Sequence, residues 1–136
     1  MGMYLNPGNS GFSRICRGYY VDKTGMIAQV NDSIGTPDNL ICISRPRRFG
    51  KSFAAQMLCA YYDKTCDSSA LFKDKIIAGS PSYQEHLNQY DVIYLNMTDV
   101  LGETTAEDVI DYIRRNVIRE LKDAYPSMKV VEGFAA

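Results

Sequence analysis

Apolar positions along this chain fall into two kinds of run. Leu40 to Ile43 and Asp91 to Met97 hold short, continuous apolar stretches rich in β-branched or aromatic side chains. Runs of that length, bounded by turn residues, predict strands buried on both faces, as in a parallel sheet. Elsewhere the apolar residues recur every three or four positions. Phe53, Met57, Leu58 and Tyr61 share one face of a helix predicted from Lys51 to Tyr62. Ala106, Val109, Ile110, Ile113, Val117 and Leu121 mark a second helix, stopped by Tyr125-Pro126. Ahead of it, Thr104 and Glu107 have capping-box spacing, in which a hydroxyl and a carboxylate satisfy each other's backbone amides. Asp22 is placed to cap a short helix through Met26, Ile27 and Val30. The stretches 6–11 and 31–39 are rich in turn residues, and "DKTCDSS" after Tyr62 breaks the preceding helix. "ALFKDKIIAGSP" reads as a short helix and an exit to a turn. The order strand, loop, helix, strand, helix predicts an α/β layered fold with parallel strands.

The 136 residues fit one domain, and a hydrophobic fraction of 46% supplies a core. A formal net charge of -1 gives no global attraction to nucleic acid or membrane, so any such contact must come from a local patch. Basic charge gathers between Arg45 and Lys51. The four cysteines form no C-x-x-C pair, and the one histidine, His86, cannot complete a zinc cluster with them. They are expected to be reduced and mostly buried, in a cytoplasmic protein. No apolar run approaches the length of a membrane span.

The chemistry concentrates in "ISRPRRFGKSF", Ile43 to Phe53. A predicted strand precedes it and a predicted helix follows, the context of a phosphate-binding loop G-x-x-x-x-G-K-[ST]. In such a loop Gly50 lets the backbone approach phosphate oxygens. Backbone amides at the helix start point at them. Lys51 reaches the β- and γ-phosphates, and the Ser52 hydroxyl binds Mg²⁺. Arg45 stands where the pattern has its first glycine, and Pro46 offers a stiffer way to turn. Arg47 and Arg48 add positive charge, and Phe49 and Phe53 flank the Gly-Lys-Ser triplet. Two plainer readings stay open on the residues alone: a solvated basic turn, and a chance three-residue match.

"YYVDKTGMI" (19–27), "SRPRRFGKS" (44–52), "ALFKDKII" (70–77) and "YDVIYLNMTD" (90–99), in that order, resemble the AAA-ATPase-like family of bacterial proteins. In that family the R-P-R-R-F-G-K-S loop is the norm, so the resemblance makes Arg45 a family trait. It implies an incomplete P-loop NTPase-type fold that binds ATP and Mg²⁺ through Arg45, Arg47, Arg48, Phe49, Gly50, Lys51, Ser52 and Phe53, with Ser52 on the metal. Family members often carry a C-terminal PD-(D/E)XK-type nuclease domain, through which nucleic acid would become a partner. Residues 1–136 then correspond to the N-terminal portion of the ATPase module. The Walker B strand and the nuclease domain are expected to be missing, and hydrolysis to be weak or absent. The 92–95 strand ends in Asn96 where a carboxylate would be wanted, with Asp99 a weak substitute. An open strand edge invites self-association, or completion by a further segment. The competing reading is a non-catalytic interaction fragment whose basic loop binds nucleic-acid phosphates or a protein partner.

The remaining motifs have plainer expectations. Asp22-Lys23-Thr24 is expected to be a helix cap, with Tyr20 as a base-stacking alternative. His86 is expected on the surface. Arg114, Arg115 and Arg119 are expected on a solvated helix face.

Overall fold

The computed structural model describes residues 4–44 and 51–129. They form seven α-helices and one 3-10 turn. The helices are α1 (Ser10–Arg17), α2 (Gly25–Ser33), α3 (Lys51–Tyr62), α4 (Ser69–Phe72), α5 (Tyr83–His86), α6 (Met97–Glu103) and α7 (Val109–Ala124). The 3-10 turn, Ile76–Gly79, lies between α4 and α5.

The core gathers on α3. Phe12 from α1, Ile27 from α2, Met57, Ala60 and Tyr61 from α3, Phe72 from α4 and Ile77 from the 3-10 turn are buried together with Tyr83 and Leu87. Phe12 stacks on Phe72 at 5.1 Å and meets Tyr20 edge-on. Tyr61 meets Phe72 edge-on at 5.6 Å. Each such side chain contributes about 1.5–3 kcal/mol by leaving water, and the ring geometries add somewhat more. Buried polar groups are satisfied within this core. Asn31 donates to Tyr61 Oη and Ser82 Oγ, and Tyr62 Oη donates to Asn31 Oδ1.

Local chemistry sets the element ends. Arg14 and Arg17 occupy the last turn of α1, where a helix favours cations. Asp22 does not cap α2 as the sequence suggests. Its Oδ1 accepts the Thr24 amide and hydroxyl, while Oδ2 accepts the amide of Ile76. Thr24 Oγ1 in turn accepts the Ile77 amide. The Asp-x-Thr pair therefore ties the start of α2 to the 3-10 turn. Tyr20 packs into the same corner, with Lys23 N donating to its hydroxyl, so it serves packing there. Asp63 and Thr65 repeat the device after α3. Oδ1 accepts the Thr65 amide and hydroxyl, and Oδ2 accepts the Gly8 amide.

The expected parallel sheet is absent from the described residues. Two isolated bridges, Leu5 with Ile93 (antiparallel) and Asp63 with Tyr90 (parallel), are their only β-pairing. The reason lies in which backbone reaches residues 92–94. Asn6 N donates to Val92 O, Val92 N donates to the Asn6 side chain, and Tyr94 N donates to Tyr4 O. The amino-terminal residues thus occupy that flank and run antiparallel to it. Leu40 to Ile43 is not a buried strand: Leu40 is 94% exposed and Ile41 51%. An α/β fold built on parallel strands is accordingly not the architecture of these residues, which is helical.

Other expectations fare variously. The predicted helix from Lys51 to Tyr62 coincides with α3. Its predicted apolar face is only partly inward, since Met57 and Tyr61 are buried but Phe53 is 52% exposed. The 104–107 capping box does not form. Thr104 closes α6, and α7 begins later behind Asp108. All four cysteines are free, but only Cys59 is buried and Cys42 is exposed. His86 is not a plain surface residue. Its ring stacks on Tyr90, and Nδ1 lies 2.6 Å from the Tyr90 hydroxyl. Among the described residues, no helix is long and apolar enough to cross a membrane.

Candidate functional site

Of the residues the sequence nominates, Arg45, Arg47, Arg48, Phe49 and Gly50 lie outside the described residues. Lys51, Ser52 and Phe53 form the first turn of α3, and all three are exposed. The first amides of a helix have no intrahelical partner, and the backbone dipole makes that end electropositive. No acidic residue sits in the first turn of α3 to neutralise it. Lys51 adds a full positive charge at the same place, and Ser52 adds a hydroxyl. Together these groups suit an anion with several oxygens, which is the chemistry of a phosphate chain.

The other end of α3 explains how this turn is held. Ala60 O accepts from Ser68 Oγ at 2.6 Å and from Asn88 Nδ2 at 3.1 Å. Tyr61 O accepts from Asn88 N at 2.7 Å, and Tyr62 O accepts from Tyr90 N at 2.9 Å. Asn88 Nδ2 also donates to Asp63 O, while its Oδ1 accepts the Ser68 amide. Carbonyls that a helix end leaves unpaired are thus taken up by one residue and its neighbours. Asn88 adopts φ 54, a left-handed conformation that asparagine tolerates better than most residues. Sequence reasoning passed over Asn88. Its position in "LNQY" after a short helix was the available signal, and asparagine in such a turn carries no unique meaning.

Between the two ends, α1 crosses α3 at Gly11. A methyl group there would press against the carboxamide oxygen of Gln56, one turn beyond Ser52. The Gln56 side chain also reaches the Tyr94 phenol. Burial raises the pKa of the Tyr94 phenol, Cys59 and Asp99 push the same way, and Gln56 partly opposes them. This contact links the middle of α3 to the 91–96 stretch.

Asn96, which stands where the resemblance wants a carboxylate, is the N-cap of α6. Its Oδ1 accepts the amides of Thr98 and Asp99 at 3.1 and 3.4 Å. Its side chain is therefore used locally. Asp99 lies in the exposed first turn of α6. Among the described residues, no group of three or more His, Cys, Asp or Glu side chains gathers to hold a metal ion. Ser52, which the sequence nominates for Mg²⁺, carries its hydroxyl in the exposed first turn of α3. A cation there would take its other oxygens from phosphates and water, as Mg²⁺ commonly does.

Comparison with curated proteins finds no match, and comparison with solved structures finds none. The profile of the family described as "Predicted AAA-ATPase" matches residues 8–132, nearly the whole chain. The match spans α1 through α7 and includes the basic loop and the first turn of α3. The chain belongs to the AAA-ATPase-like family.

Proposed function

We propose that the chain binds the triphosphate of a nucleotide, ATP by family, at the start of α3. The observation that carries this reading is the exposed Lys51-Ser52 turn, electropositive and without an acidic neighbour in its first turn. Gly50 and the arginines Arg45, Arg47 and Arg48 would surround the phosphates, and Phe49 and Phe53 would flank them. Lys51 would act as a point charge on the terminal phosphates. Ser52 Oγ would hold Mg²⁺, which when bound shields the charge that develops between phosphates. Hydrolysis also needs a group that orients the attacking water and a complete metal shell. Asn96, which stands where the resemblance wants a carboxylate, spends its side chain capping α6. Binding with little turnover is therefore the expected behaviour of this chain alone.

A second reading, an interaction module, is favoured by the exposed apolar run Leu40 to Ile43. In it the basic loop meets nucleic-acid phosphates or a protein surface, and the chain associates with itself or with a partner. Titration calorimetry with ATP and Mg²⁺, beside the Lys51→Ala variant, separates the two. Binding that the variant loses supports the nucleotide reading. No heat from a folded parent, with salt-sensitive DNA binding instead, supports the interaction reading.

A further inference from the structure

We infer that α6 and α7 form an arm that opens as one unit, hinged at residues 95–96 and latched through Asp91. The main core includes no residue beyond Leu87, and the half-buried side chains packed on it come from no position beyond Ala78. α7 has sixteen residues and buries none of them fully, while α6 buries only Val100. The two helices pack against each other. Val100 is fully buried, and the hydrogen bonds that tie the two helices to the body are few.

Each attachment is identifiable. Tyr94, just before the hinge, is pinned by its amide to Tyr4 O at 2.8 Å. Asn96, at the hinge, spends its side chain capping α6. Beyond the hinge, Glu120 accepts the Tyr4 amide at 3.0 and 3.2 Å. At the far end, Tyr125 Oη donates to Asp91 Oδ1 at 2.6 Å. Asp91 also accepts from Asn6 Nδ2 at 2.9 Å and pairs with Lys64 Nζ at 2.9 Å. Lys64 lies over the Tyr125 ring at 5.3 Å. The latch thus sits four residues before the hinge, so the arm folds back and fastens near its own root. An element with few buried apolar contacts and a handful of solvent-accessible polar ties opens at far lower free energy than the core. Ile110 is 67% exposed even with the arm closed, while Val109, Ile113, Val117 and Leu121 are half-buried.

Hydrogen exchange of the intact chain, read by mass spectrometry, tests this. Amides of α6 and α7 should share one opening, at least about tenfold faster than amides from Met57 to Tyr61. Tyr125→Phe removes one charge-assisted hydrogen bond and should speed exchange in both arm helices by about three- to tenfold, with α2 and α3 unchanged. Glu120→Gln should act in the same direction, more weakly. Equal protection of α7 and α3 would overturn the inference. So would a Tyr125→Phe effect spread evenly over all helices, or one confined to α7 while α6 stays protected.

Discussion

The two ends of α3 are built to opposite specifications. At the carboxyl end, the carbonyls of Ala60, Tyr61, Tyr62 and Asp63 are all taken by groups from residues 68–90. At the amino end, Lys51, Ser52 and Phe53 face solvent. One end is fixed by buried hydrogen bonds, and the other presents a helix N-terminus and positive charge to solvent. A helix held at one end carries its other end as a rigid pointer, so the candidate anion site inherits its position from a region far from any ligand. The comparison also separates two kinds of mutation. Damage at the carboxyl end should appear as lost stability, and damage at the amino end as lost binding.

Asn88→Asp should have the largest effect. Aspartate tolerates the left-handed backbone at this position, so the substitution isolates the loss of the side-chain donors. A carboxylate would face the carbonyls of Ala60 and Asp63, to which Asn88 now donates. The expected cost is about 3 kcal/mol, from two lost hydrogen bonds and from a carboxylate set against two carbonyls, of which Ala60 O keeps Ser68 Oγ and Asp63 O keeps only the Cys66 thiol. Urea denaturation measures it, and a midpoint unchanged from the parent would remove the clamp from the account of α3.

Lys51→Ala should invert that pattern. The side chain is exposed at the helix start, so stability should stay within about 0.5 kcal/mol of the parent. Calorimetry with ATP and Mg²⁺ should nonetheless show affinity reduced by about tenfold or more, the scale of one charge-assisted contact. A large stability loss with binding intact would break the contrast between the two ends.

How far the sequence announces these features depends on whether their causes are local. The bounds of α3 were legible because Gly50 precedes it and "DKTCDSS" follows, and both signals act within a few residues. The end of α7 at Tyr125-Pro126 was legible for the same reason. α1 was missed because the turn-rich "NPGNSG" overlaps its start and Ser13 and Arg14 dilute the spacing of Phe12, Ile15 and Cys16. The failure at Leu40 to Ile43 is of another kind. An apolar run states that a segment gains by burial, but strand partners lie elsewhere in the chain. Nothing at 40–43 could reveal that residues 4–6 occupy the flank of 92–94. The candidate site was legible as chemistry, in the Gly-Lys-Ser triplet, while the Asn88 clamp depends on contacts across about thirty residues and left no pattern.

Gly11 probes the middle of α3, where the two ends are mechanically joined. Glycine inside α1 costs about 1 kcal/mol against alanine in helix propensity. A methyl group there, however, would displace the Gln56 carboxamide. Gly11→Ala alone should therefore change stability little. With Gln56→Ala already in place, the same substitution should stabilise by about 1 kcal/mol, and a double-mutant cycle reads the difference. Additive effects would mean that α1 does not press on Gln56.

The smallest effect is expected at the Asp91 latch, and it appears only in acid. The Tyr125 hydroxyl bond contributes most to lowering the Asp91 pKa, desolvation opposes it, and Asn6 and Lys64 lower it further, to about 2. An unfolded aspartate titrates near about 3.9. The folded value is the lower one, so this group's contribution is fully present above about pH 4 and disappears as pH falls towards 2. Asp91 is partly solvated, at 38% side-chain exposure, so water screens the interaction and the change in slope will be small. Asp91→Asn should flatten the pH dependence of stability between about pH 4 and 2 and leave it unchanged above about pH 5. If the slope survives in the variant, the acid sensitivity belongs to other carboxylates such as Asp22. Burial raises the Asp22 pKa, but hydrogen bonds from Thr24 and Ile76, with Lys75, lower it on balance. Acid stability would then report on the core rather than on the arm.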